Sequence, residues 1–277
     1  MLQKMTATCR FSGAKNKQIG ADNLPIDFAL VDELEIPKGI TYFDKQKLLS
    51  GESRKVNVTN NQEVLFTVTV PKGVFNPVTG WAANVIINEI IRRKFDVADK
   101  EVADLGCGSG VIGFACILSG AQKVLFTDIN PNIKPLKENK LFRTDIDKLE
   151  VQDLLCKERD NSLDVIIMST PTNVVDSTVK IAEDDFQSSI QRHESFFPRL
   201  VSESARTLRA GGRLMLYVKM PSDGNESLNS ALANNSFDID TFKEHVRLSE
   251  KNLNIGRQPN QECDYDWLVF SVRKKDC

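Results

Sequence analysis

The chain has 277 residues, enough for one domain with a sizeable core plus an appendage. Hydrophobic residues make up 41% and charged residues 27%, which excludes a wholly disordered, collagen-like or disulfide-scaffold chain. Lys and Arg number 36 against 38 Asp and Glu, a net charge of −2, so no overall field gathers a polyanion and nucleic acid is not the expected partner.

Residues 1–24 are polar, carry Gly13 and Gly20 and show no sustained period, which predicts a loose arm. From Phe28 to Val70 the apolar residues favour β-structure. Val56 and Val58 alternate, Asn60-Asn61 interrupt, and Val64, Phe66, Val68 and Val70 alternate again, which predicts a hairpin. Pro71, Gly73 and Pro77 punctuate a turn, and Trp81, Val85, Ile86, Asn88, Glu89, Ile90 and Arg93 describe an amphipathic helix after Gly80. A boundary near residue 75 divides an N-terminal appendage, 1–75, from a larger domain, 76–277.

Beyond it, strands alternate with helices, the mark of a parallel sheet covered on both faces. Strands are predicted at 101–106, 122–128, 163–169, 212–219 and 266–273, with further short ones near 149–152 and 242–248. Helices are predicted at 110–119, 131–142, 195–209 and 225–234. The expected fold class is α/β, a doubly wound Rossmann-like sheet with a smaller β-rich appendage.

Cys9, Cys107, Cys116, Cys156, Cys263 and Cys277 form no C-x-x-C pair, and two histidines cannot complete a usual zinc set around them, so reduced thiols and no metal are expected. The first residues lack the apolar run of a signal peptide, and no stretch approaches the roughly 20 apolar residues of a membrane span. A cytosolic chain without a membrane partner is the expectation, and its oligomeric state is left open.

The most informative stretch is Val102-Ala103-Asp104-Leu105-Gly106-Cys107-Gly108-Ser109-Gly110-Val111-Ile112-Gly113, an apolar strand running into a glycine turn that opens a helix. Glycine serves where backbone turns tightly against a ligand, and a helix start offers free N–H groups. Gly108, Gly110 and Gly113 fit the G-x-G-x-x-G spacing of a dinucleotide site. Asp104, just before the turn, argues for a different cofactor: a carboxylate there repels a pyrophosphate but pairs with a cationic amino-acid moiety, which favours S-adenosylmethionine (SAM). Asp128, ending the next strand, is placed to accept from both ribose hydroxyls of either cofactor.

These residues resemble the class I SAM-dependent methyltransferases, in particular the branch of release-factor glutamine methyltransferases and related "small" methyltransferases. The resemblance runs through Asp104–Gly110, Asp128-Ile129-Asn130-Pro131 with Lys137-Glu138-Asn139, and Leu208-Arg209-Ala210-Gly211-Gly212-Arg213-Leu214, and upstream through Pro71–Thr79. It implies that Gly106, Cys107, Gly108 and Gly110 lie along the methionine and ribose portions of SAM. By the same resemblance Thr79 touches the methionine end, Asp128 binds the ribose diol, and Ile129, followed by Asn130, packs on adenine. Asp153, followed by Leu154, matches the acid that meets the adenine amino group.

The fourth motif departs from that pattern. Where the family carries Asn or Asp, Pro, Pro and an aromatic residue, this chain has Ser169-Thr170-Pro171-Thr172. Ser169 accepts one hydrogen bond, and Thr172 cannot stack on a planar acceptor. Glutamine and nucleobase acceptors lose support, and a nitrogen or oxygen of a small molecule is favoured, with a protein side-chain amide as the alternative. A non-catalytic methyltransferase-like partner subunit and a nicotinamide oxidoreductase are the remaining readings. For the departing proton, His193 is the leading candidate, with Asp184, Asp185, Glu194 and Tyr42 behind it.

Overall fold

The computed structural model describes residues 26–37, 39–79, 82–93, 95–171, 173–175, 178, 191–221, 226–235, 237–246 and 265–275. The arm at 1–24, Trp81, Thr172, Asp184 and Asp185 lie outside the described residues.

Three N-terminal strands, β1 (Ile26–Leu30), β2 (Arg54–Asn60) and β3 (Glu63–Val70), form an antiparallel sheet in the order β1-β2-β3. The β2–β3 hairpin turns on Asn61 and Gln62, with φ of 48° and 72°, and closes with Asn60 opposite Glu63. A two-residue loop with positive φ matches the twist of paired strands, and Asn tolerates that region at little cost. Between β1 and β2 the chain forms a helix, α1 (Tyr42–Ser50), where β-structure is expected from the sequence. Its start is fixed by Thr41, whose Oγ1 accepts the Asp44 N–H at 3.1 Å and donates to Asp44 Oδ2 at 2.7 Å.

Helix α2 (Ala82–Ile91) then leads into a seven-stranded sheet. Its strands are β4 (Glu101–Leu105), β5 (Lys123–Asp128), β6 (Lys148–Val151), β7 (Leu163–Ser169), β10 (Leu208–Pro221), β11 (Phe237–Val246) and β12 (Tyr265–Lys274). A separate parallel pair, β8 (Asn173–Val175) and β9 (Gln191–His193), lies in sequence between β7 and the next helix. The large sheet runs β11-β12-β10-β7-β4-β5-β6, parallel from β10 to β6, with β12 antiparallel to both neighbours.

Helices α3 (Val111–Leu118), α4 (Phe196–Thr207) and α5 (Glu226–Asn234) complete the layers. One apolar cluster joins α2, α3 and the sheet to Phe28, Val56, Val58, Phe66 and Val68, so the N-terminal sheet shares the core of that face. A second cluster buries Phe197, Leu200 and Val201 of α4 with Leu228 and Leu232 of α5 on the other face. Burying such side chains is worth about 1.5–3 kcal/mol each.

The segment after β5, expected as a helix over 131–142, is a 3-10 run at Pro131–Glu138. Pro135 inside it lacks the N–H that an α-helical turn needs and clashes with the preceding turn. The chain leaves β4 for β5 and β6 and returns to β7 beside β4, which makes the C-terminal ends of β4 and β7 the switch point where ligands of such sheets bind.

Candidate cofactor and acceptor site

The turn after β4 is built on Gly106, Gly108 and Gly110, with φ of 67°, 49° and 75°. L side chains rarely adopt these values, which explains glycine at three alternate positions. Gly113 has another reason: a methyl there would stand 2.3 Å from Phe126 Cε1, so only glycine lets α3 lie on β5. The third glycine of the dinucleotide spacing therefore reports helix packing.

The loop's amides are largely committed. Gly106 and Cys107 donate to the Thr127 carbonyl at 2.8 and 3.0 Å, Gly110 donates to the Cys107 carbonyl at 2.7 Å, and Gly108 donates to Asp128 Oδ2 at 2.8 Å. A pyrophosphate needs such N–H groups free, and here it would also meet two carboxylates. The arrangement suits a cationic ligand with hydroxyls instead.

Asp128, half-buried at the end of β5, accepts Gly108 N–H on Oδ2 and Asn130 N–H on Oδ1, the latter at 2.9 Å. Each oxygen is thereby fixed by one amide and retains acceptor capacity, the geometry a ribose diol requires. Burial raises its pKa, opposed by the N–H groups of Asn130, Gly108 and Ile129. Asp104 is fully buried and accepts the Gly113 N–H at 2.8 Å. Loss of solvent, with Asp128 adding repulsion against the Gly113 hydrogen bond, brings its pKa from 3.8 to about 7. An ammonium or sulfonium nearby would relieve both acids, so these residues fit SAM. The same burial and charges push the Cys107 thiol well above its ordinary value, so it stays an inert thiol.

Around this pair, Ile129 is half-buried and Asn130 buried. Asn130 Oδ1 accepts Asn132 N–H at 2.9 Å, and its Nδ2 donates to the Gly73 carbonyl at 3.0 Å. That contact ties the Pro71–Thr79 segment to the loop, and a methyl at Gly108 would stand 3.9 Å from Val74 Cγ1. Thr79 is half-buried in the short 3-10 turn Pro77–Thr79. Leu154, buried with φ of 53°, accepts Thr127 Oγ1 at 3.2 Å through its carbonyl. The Asp153 carboxylate is exposed and forms an ion pair with Arg199 of α4.

In the motif after the fourth parallel strand, Ser169 ends β7 half-buried. Thr170 is buried, and both its N–H (3.0 Å) and its Oγ1 (2.9 Å) donate to the Tyr217 carbonyl of β10. The Pro171 carbonyl accepts Arg192 Nε at 3.1 Å, and the guanidinium lies 4.3 Å from the Phe197 ring centroid. Met168 brings this motif to the cofactor loop, since a methyl at Gly106 would stand 3.3 Å from Met168 Cε. His193, expected from the sequence just ahead of the next helix, lies on β9 opposite Val175, with Nδ1 buried and without a hydrogen-bond partner.

Sequence reasoning missed Gln46 and Arg192. Gln46 sits on a helix signalled only by the Thr41–Asp44 cap, and Arg192 acts through a carbonyl, which leaves no side-chain pattern. Among the described residues no group of His, Cys, Asp and Glu could hold a metal ion, and no helix is long and apolar enough to cross a membrane.

The fold is that of a Rossmann-like SAM-dependent methyltransferase. A solved methyltransferase in complex with S-adenosylhomocysteine (SAH) aligns at a TM-score of 0.54 and 13% identity over 78% of this chain and 55% of its own. One named as a SAM-dependent methyltransferase from Streptococcus mutans aligns at 0.51 and 14% identity over 79% and 53%. The profile of the methyltransferase small domain family matches residues 66–241, more than half of the chain, and the chain belongs to that family.

Two curated relatives narrow the comparison. A ribosomal protein L11 methyltransferase of Acinetobacter baumannii is 48% identical over 59 residues, 21% of this chain and 20% of that protein. A protein named as an N5-glutamine methyltransferase in Methanocaldococcus jannaschii is 28% identical over 148 residues, 50% of this chain and 72% of that protein. The chain thus spans about a fifth of the L11 methyltransferase it matches.

Proposed function

We propose that the chain transfers the methyl group of SAM to a nitrogen or oxygen of a small-molecule acceptor. The observation that carries the SAM part is the Asp128 carboxylate, each oxygen fixed by one loop amide and still able to accept. The glycine turn receives the cofactor, Asp104 faces its cationic part, and Ile129 and Leu154 flank the base. SAM supplies an activated methyl group, so the protein's task is alignment, exclusion of water and acceptance of one proton. Ser169 and the Thr170 carbonyl orient the acceptor, while the Thr170 hydroxyl, committed to Tyr217, holds the motif to the sheet. His193 takes the proton.

A small acceptor is favoured because the motif has lost the ring that stacks on an amide or nucleobase plane. A protein side-chain amide is the second reading, supported by the relative named for glutamine methylation. The test is transfer of labelled methyl from SAM into a cell extract, followed by size fractionation. Label in the small-molecule fraction supports the first reading, label on protein replaces it with the second, and no label in either contradicts both.

A further inference from the structure

Three half-buried arginines, Arg143, Arg206 and Arg209, each meet a carboxylate at 2.7 to 2.9 Å. Arg192 is half-buried too and meets none among the described residues. Its Nε donates to the Pro171 carbonyl at 3.1 Å, and its guanidinium lies 4.3 Å from the centroid of Phe197, a fully buried ring. On β9 it pairs with Val174 of β8, so strand, carbonyl and ring hold the head group in one place. A guanidinium has five N–H donors, and Nε spends one. The rest, on Nη1 and Nη2, form the fork that matches a carboxylate or phosphate, and they have no acceptor among the described residues. The first turn of α4, which carries Phe197, holds no acidic residue. Burial lowers the Arg192 pKa with no acid to oppose it, whereas the carboxylates beside Arg143, Arg206 and Arg209 raise theirs. Arginine stays charged, and a charge taken partly out of water without a partner is costly.

We propose that Arg192 is a specificity-determining residue that holds an oxyanion, carboxylate or phosphate, carried by the methyl acceptor. The proposal rests on the reading above that Ser169 and the Thr170 carbonyl orient that acceptor. Arg192 is tied to the same motif through Pro171, and the motif follows Met168, whose Cε would stand 3.3 Å from a methyl at Gly106. The atom to be methylated and the anionic group are then held at separate points, which fixes the acceptor's alignment. A neutral acceptor leaves the fork unmet, and a cationic one is repelled, so the small-molecule class narrows to anions.

The test uses the full chain, labelled SAM and the small-molecule fraction of a cell extract, divided by anion exchange into a retained and an unretained pool. Label should enter the retained pool. Phosphatase treatment of that pool before the assay tells the two oxyanions apart: acceptance that disappears identifies a phosphate, and acceptance that survives a carboxylate. Arg192→Gln, which keeps an N–H for Pro171 but no charge, should raise the amount of pool needed for half-maximal rate about 10- to 100-fold, the scale of hydrogen bonds to a charged group, with little change in maximal rate or in SAH affinity. Arg192→Lys should recover part of that loss. Label confined to the unretained pool overturns the proposal, as does an Arg192→Gln chain that saturates as the wild type does. So does a fall in SAH affinity in Arg192→Gln, which would assign the guanidinium to the cofactor, or a lower melting temperature and maximal rate that Arg192→Lys leaves unrepaired, the mark of a structural role. Should Arg192→Gln fail to fold, the partition of label by the wild type decides. Label on protein alone, or no label from a chain that binds SAH, overturns the small-acceptor reading and the proposal together, and a chain that does not bind SAH overturns the SAM reading beneath both.

Discussion

Asp104→Asn isolates the energetic cost of keeping a carboxyl inside the glycine turn. Asp104 is 1% exposed and its pKa stands at about 7 against 3.8 for the ordinary group. A raised folded pKa means that the native state holds a proton which the unfolded chain releases above pH 3.8, so stability falls as pH rises to about 7 and is level beyond. One pKa unit corresponds to about 1.4 kcal/mol, which sets an upper bound of about 4 kcal/mol at pH 8 and about 1.5 kcal/mol at pH 5. Asparagine retains an oxygen for the Gly113 N–H and never ionises. Relative to wild type, the variant should therefore gain about 2–3 kcal/mol between pH 5 and pH 8, read from urea unfolding of the ligand-free protein at both values. A stability difference that is the same at the two pH values would refute the reasoning, because it would mean that Asp104 carries its charge in the native state as readily as in the unfolded one.

Gly113→Ala should destabilise by about 1–3 kcal/mol, since its methyl would stand 2.3 Å from Phe126 Cε1; Phe126→Leu in the same chain should recover part of that, and additive losses in urea unfolding would contradict the packing account. Asp147→Ala should cost about 2–3 kcal/mol, because it strands the Val124 N–H, held at 2.9 Å, and removes two bonds of the Arg143 guanidinium, at 2.7 and 2.9 Å; a loss below about 1 kcal/mol would mean that neither contact matters. Thr170→Val should lower the melting temperature by a few degrees through loss of its hydroxyl bond to Tyr217 and slow methyl transfer with little change in SAH affinity; an equal fall in SAH affinity would move Thr170 to the cofactor side.

The glycine turn and its two acids were legible because they depend on residue type in short spans. A strand, alternate glycines and two acids can be read within 102–128, and the structure joins them through the Gly108–Asp128 and Gly113–Asp104 hydrogen bonds. The parallel sheet was legible for the same reason, as apolar runs separated by helical periods. Local signals failed where several competed: Pro135 turned a helical period into a 3-10 run, and α1 was hidden in a stretch whose flanks read as strands. The motif after β7 and the Pro71–Thr79 segment depend on contacts between distant parts of the chain. Arg192 on the Pro171 carbonyl and Gln46 on Asn76 and Thr79 span 21 to 33 residues and involve backbone atoms, which no spacing rule encodes.

The central claim is that the glycine turn and Asp128 hold a SAM-type cofactor. Calorimetric titration of the wild type and Asp128→Ala with SAH, and in parallel with reduced nicotinamide dinucleotide, tests it most directly. The account predicts micromolar binding of SAH alone, abolished by the substitution. Binding of the dinucleotide without SAH, or SAH binding that Asp128→Ala leaves intact, would contradict it.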